Sequence, residues 1–219
     1  MKRFNEKKEE KEEKENQQND LASMIGMAMD SPELRAIAIY GDITEERCAE
    51  TIYGLLTLDM TSKTLGLRPQ ENDEDPVEVE TIEPITFYIS SYGGQATEMF
   101  AVYDVMRDIR ERTPINTYGI GKVMSAGVLL LAAGTKGERR IGKNCRVMIH
   151  GVVAGQHGHI ADIENEFSET KSTQKSYVAA LVEETNMSEK YVKKLMNRKT
   201  NVYLNSEEAV NLGIADIIV

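Results

Sequence analysis

From Leu34 onward, apolar and polar positions alternate in short β-type stretches separated by longer helical ones. Residues 35–41, RAIAIYG, have the composition of a strand ending on a turn glycine. Asp42, with Glu45 three residues later, fits an Asp variant of the helix capping box. Ala49, Ile52, Leu55 and Leu56 then recur at helical spacing, which predicts a helix to about residue 60. Residues 61–83 break this rhythm. They contain PQENDEDPVEVE and predict an acidic surface insertion with a short hairpin around 77–79. Further along, the pattern predicts strands at 85–90, 115–118, 146–150 and 201–204. Helices are predicted at 96–112, from Ser125, at 161–184, at 189–198 and from Ser206. This alternation of strand and helix predicts an α/β fold with parallel pairing.

The first 22 residues stand apart from that pattern. The first twenty hold a single aromatic, Phe4, and otherwise almost only Lys, Glu, Asn and Gln, too little apolar surface to offset the entropy of ordering. Disorder is therefore expected for 1–22, with one folded domain over 23–219. The net charge of −10 argues against nucleic acid as a partner, since phosphate binding needs a dense basic surface. No apolar run approaches the ~20 residues of a membrane span. The longest, 126–134, reads instead as a buried element. The charged N-terminus lacks the apolar core of a secretory signal, so a cytoplasmic location is expected. Cys48 and Cys145 have no CxxC spacing and read as reduced, buried thiols.

Candidate chemistry lies where glycines end strands just before helices, at Gly93-Gly94 and at Gly119 to Gly121. Such turns expose backbone N–H groups that can hold negative charge. Ser125, in GKVMSAG, follows the second of them, beside the amides of Ala126 and Gly127. An acyl-transfer nucleophile needs fixed donors of that kind for its oxyanion. The competing reading is a serine helix cap. His150 ends the apolar strand RVMIH and supplies a candidate base. His157 and His159 lie in a Gly-rich loop with no matching carboxylates or cysteine, so no metal site is expected. Residues 137–144, GERRIGKN, nearly fit a nucleotide P-loop but lack its hydroxyl and precede a strand. No ATP site and no cofactor are therefore expected in this chain.

From Leu34 to the C-terminus the sequence resembles the Clp-protease proteolytic subunit (ClpP) family. The resemblance is carried by YISSYGG at 88–94, VYDVM at 102–106, SAGVLLLAAGTKGER at 125–139, RVMIH at 146–150 and EAVNLGIAD at 208–216. The interval of 25 from Ser125 to His150 is also similar to the family's. The resemblance implies Ser125 as nucleophile, His150 as base, and the N–H groups of Gly94 and Ala126 as oxyanion hole. It places Asn201 at the family's aspartate position. No Asp or Glu occurs from Lys190 to Ser206. Asparagine can orient an imidazole but cannot stabilise its cation by charge. Tyr92 also departs from the family, standing where it has a proline.

The resemblance further implies a crotonase/ClpP-like spiral of strand-strand-helix units with a protruding helix-strand handle. That handle comprises the segment 150–160 and the helix that follows. The implied activity is serine endopeptidase hydrolysis of unfolded polypeptides inside a homo-oligomer of stacked heptamers, a tetradecamer. An AAA+ unfoldase is the implied partner. One alternative is a weakly active or silent ring subunit assembling with an active homologue, which Asn201 favours. Another is a crotonase-like enzyme acting on acyl thioesters, which would need carboxylates in the site.

Overall fold

The computed structural model describes residues 34–68, 77–198 and 200–219. The expectation for 1–22 lies outside the described residues, as does the centre of the insertion. The opening apolar alternation forms β1 (Ala36–Ile43), which runs past the predicted turn glycine. Gly41, at φ 91°, carries the chain through a register shift between Tyr40 and Asp42, and pairing then resumes. The helix cap moves with it. Thr44, not Asp42, caps α1 (Glu45–Met60), its hydroxyl accepting from the Arg47 amide at 3.5 Å. Asp42 is left on the strand, exposed to a cleft.

The insertion forms more structure than its composition predicts. β2 (Lys63–Arg68) and β3 (Val77–Ile82) pair antiparallel along their whole length, from Lys63↔Ile82 to Arg68↔Val77. Among the described residues both strands are mostly exposed, so no buried face there imposes an apolar period that sequence reading could detect.

β4 (Ile85–Gly94), α2 (Ala96–Arg110), β5 (Ile115–Met124) and α3 (Ala126–Ala132) follow in turn. After them come β6 (Arg140–Ile141), β7 (Arg146–Ile149) and the long helix α4 (Ile160–Glu184). α5 (Glu189–Met196), β8 (Val202–Leu204), α6 (Ser206–Asn211) and β9 (Ile217–Ile218) complete the order. The main sheet runs β1-β4-β5-β6-β9, every neighbour parallel. β5 forks: Tyr118 and Gly119 pair with β6, while Lys122 to Met124 pair with β7. β8 adds antiparallel to β7. Because β4, β5 and β7 run parallel, their C-terminal ends share one edge. That edge receives Gly94, Ser125 and His150.

α3 is apolar on every side, and all seven of its residues are buried, as a helix of that composition requires. Its far end is anchored by a cluster of charges that sequence reading did not anticipate. Glu184 is 0% exposed. It accepts two hydrogen bonds from Arg110, at 2.7 and 2.9 Å, one from Tyr103 at 3.0 Å, and pairs with Lys136 at 3.2 Å. Burial alone would raise its carboxyl pKa, but Arg110 and Lys136 outweigh that and hold it below the usual value. Arg139 donates to the carbonyls of Ala132 and Glu184 and clasps Asp216. The motif residues around Arg139 and Asp216 are thus structural: they join α3, α4 and the end of the chain. Residues 137–144 form the turns flanking β6, with the Gly137 amide donating to Asp216 at 2.7 Å.

α4 buries Tyr177, Val178, Ala180, Leu181 and Glu184 on its C-terminal half, while 161–169 are exposed throughout. The segment 150–159 between β7 and α4 has no ladder partner among the described residues. Cys48 and Cys145 are buried free thiols, each pushed up to about 11, chiefly by burial. Among the described residues, no helix is long and apolar enough to cross a membrane.

Candidate active site

The end of β5 turns abruptly into α3 at Ser125, which adopts φ 53°, ψ −121°. Among the described residues it is the one non-glycine with positive φ. Such a conformation costs about 1–3 kcal/mol and persists only where its surroundings enforce it. Its side chain makes no capping hydrogen bond to α3, so the helix-cap reading of Ser125 fails on geometry. Its backbone is held instead. The Ser125 N–H donates to the Met148 carbonyl at 2.8 Å, extending the β5–β7 ladder, and its carbonyl accepts from the Val128 amide at 3.0 Å.

Gly93 and Gly94 close in from β4, at φ 101° and 155°. The Ser91 hydroxyl shapes this turn by accepting from the Gly93 amide at 2.9 Å. A β-carbon on Gly93 would lie 2.6 Å from the Ser125 β-carbon, and one on Gly94 would lie 2.2 Å from the Ile43 carbonyl oxygen. Glycine is required at both positions by backbone angle and by space. Ala126 opens α3, where the first amides lack intrahelical acceptors and stay available to a ligand.

These parts line one cleft of about 600 Å³. Ser125, His150, Gly94 and Ala126 all border it, together with Asp42, Tyr92, Gln95, Val153 and Tyr177. Asn201 does not line it. The β7–β8 ladder ends at Ile149↔Val202, so continuing its register sets Asn201 opposite His150. Among the described residues, no hydrogen bond joins His150 to Ser125 or to Asn201. His157 and His159 are exposed, away from the cleft lining, and no group of three His, Cys, Asp or Glu among the described residues is placed to hold a metal.

Three of the wall residues that sequence reading missed show why. Asp42 was hidden by its resemblance to a cap. Tyr92 is exposed at the rim, where the Lys122 ammonium lies 4.5 Å from its ring centroid and 5.1 Å from that of Tyr40. Tyr177 sits four residues before Leu181 on the inward stripe of α4, and helical spacing could have marked it as buried. Its hydroxyl donates to the Ser125 carbonyl at 2.7 Å, a contact spacing alone does not reveal.

A forked parallel sheet with a strained serine at one strand end and a histidine at the next defines an α/β fold of the ClpP type. Comparison with known proteins agrees. The family model described as Clp protease matches residues 77–219. The ATP-dependent Clp protease proteolytic subunit 1 of Corynebacterium glutamicum is 31% identical over 159 residues, covering 72% of this chain and 70% of that protein. The chain belongs to the Clp protease family.

Proposed function

We propose that this chain is a serine endopeptidase subunit that hydrolyses peptide bonds by an acyl-enzyme route. The observation that carries the reading is the enforced left-handed backbone of Ser125 in the same cleft as His150. Ser125 Oγ attacks the peptide carbonyl while His150 takes its proton. The amides of Gly94 and Ala126 meet the oxyanion. His150 then delivers the proton to the departing amine, and water hydrolyses the ester by the same steps in reverse. Asn201, opposite His150 in register, orients the imidazole. No cofactor is required.

Family membership supports the wider picture of a cytoplasmic homo-oligomer of stacked heptamers that admits unfolded polypeptides fed by an AAA+ unfoldase. The exposed first half of α4 and the unpaired segment 150–159 suit contacts between rings and with extended substrate. A second reading, a silent subunit assembling with an active homologue, draws on Asn201. Both are tested by treating the assembled protein with a fluorophosphonate probe. Labelling that disappears in Ser125→Ala supports the peptidase. An assembled protein that takes no label refutes it in favour of the silent subunit.

A further inference from the structure

Ser125 and Ala126 share one peptide unit, and its two ends face different tasks. The N–H of Ala126 is the proposed oxyanion donor. The carbonyl of Ser125, at the other end of the same rigid trans plane, accepts from the Tyr177 hydroxyl at 2.7 Å. Fixing the carbonyl therefore fixes where the N–H points. The other backbone bonds of Ser125, to Met148 and Val128, belong to the strand ladder and the helix turn. Tyr177 supplies the one side-chain hydrogen bond to the Ser125 backbone among the described residues.

We infer that Tyr177 is a positioning residue, holding the Ser125–Ala126 peptide so that the Ala126 amide is aimed into the cleft before substrate arrives. The tyrosine is suited to this. It is 5% exposed, carried on the buried half of α4, and borders the cleft. Burial pushes its phenol well above the ordinary pKa, so it remains a donor across the working range. The residue acts through the peptide and not on substrate, so its loss should slow the chemical step while leaving substrate binding alone.

This inference rests on the serine-peptidase reading, and the experiment separates the two. Fluorophosphonate labelling and fluorogenic-peptide turnover are measured for the parent, for Tyr177→Phe, and for protein carrying a ring-fluorinated tyrosine at 177. Thermal melts and native mass accompany them. Tyr177→Phe should lower the labelling rate and kcat by about 3- to 10-fold, the range expected for one lost hydrogen bond. KM, melting temperature and assembly should be unchanged, and the fluorinated tyrosine, which keeps the hydroxyl, should restore the rate. A parent that takes no label sinks the peptidase reading. A labelled parent with an equally fast Tyr177→Phe overturns the positioning role. So does a Tyr177→Phe that loses its assembly or its melting temperature, since the hydroxyl would then be structural.

Discussion

Gly93→Ala tests the packing of the cleft most directly. An alanine β-carbon there would lie 2.6 Å from the Ser125 β-carbon, 3.0 Å from the Met124 carbonyl oxygen and 3.1 Å from Ser125 Oγ. Comfortable carbon–carbon contact needs about 3.5–4.0 Å, so the serine or the glycine turn must retreat by about 1 Å. Misplacement of that size at a reacting centre costs on the order of 100-fold. The fold itself loses less. The φ of 101° adds about 1–2 kcal/mol of strain for an L side chain, or about 2–8 °C in melting temperature for a chain of this size. Fluorophosphonate labelling of Ser125 should therefore slow by about 100-fold in a protein that still melts cooperatively and assembles like the parent. Labelling at the parental rate, with an unchanged melt, would refute the claim that the glycine turn and Ser125 are in contact.

Two further predictions concern groups outside the cleft lining. Asn201→Asp should raise kcat by about 10-fold, corresponding to ~1.4 kcal/mol of imidazolium stabilisation, in peptide hydrolysis assays; abolished activity would mean that another group orients His150. Asp216→Asn should destabilise the chain by about 3 kcal/mol near pH 7, because it leaves the buried Arg139 guanidinium without its carboxylate. Burial alone would raise the Asp216 pKa, but hydrogen bonds and charge from Arg139 together with the Gly137 amide hold it below the ordinary value. Its contribution is therefore complete above the ordinary carboxylate pKa of about 4 and fades as pH falls through the lower folded value. Thermal melts of parent and Asp216→Asn should converge as the pH drops below that point; a gap that stays constant would contradict the ion pair.

The parallel sheet was legible because β4 and β5 bury alternate positions and the all-apolar α3 can exist only inside. Ser125, His150, Gly94 and Ala126 stand out locally only as punctuation, glycine turns and a histidine at strand ends; the roles proposed for them come from the family resemblance. What resisted reading depends on partners distant in sequence. The cap at Thr44 follows from β1 continuing through a bulge, which its pairing with β4 decides. The described positions of the β2–β3 hairpin form no buried face and so leave no periodic signal. Glu184 looks like any helical glutamate until Arg110 and Tyr103 from α2 and Lys136 from the turn after α3 converge on it. Tyr177 reads as a core aromatic, and only the fold reveals which carbonyl its hydroxyl meets.

The order of strands in the sheet also sets an order in time. β1, β4 and β5 emerge first during synthesis and can pair with one another, bringing the glycine turn to Ser125. β6 gains its second neighbour only with Ile217 and Ile218, β7 only with β8, and Arg139 meets its carboxylate only with Asp216, all made after the strands they brace. Pairings that span so much of the chain form slowly, and translation delivers the N-terminal parts first. A nascent chain thus carries the serine half of the cleft well before the histidine half is braced. Each half of the cleft is braced by a different stretch of the chain, and the histidine half by the later one.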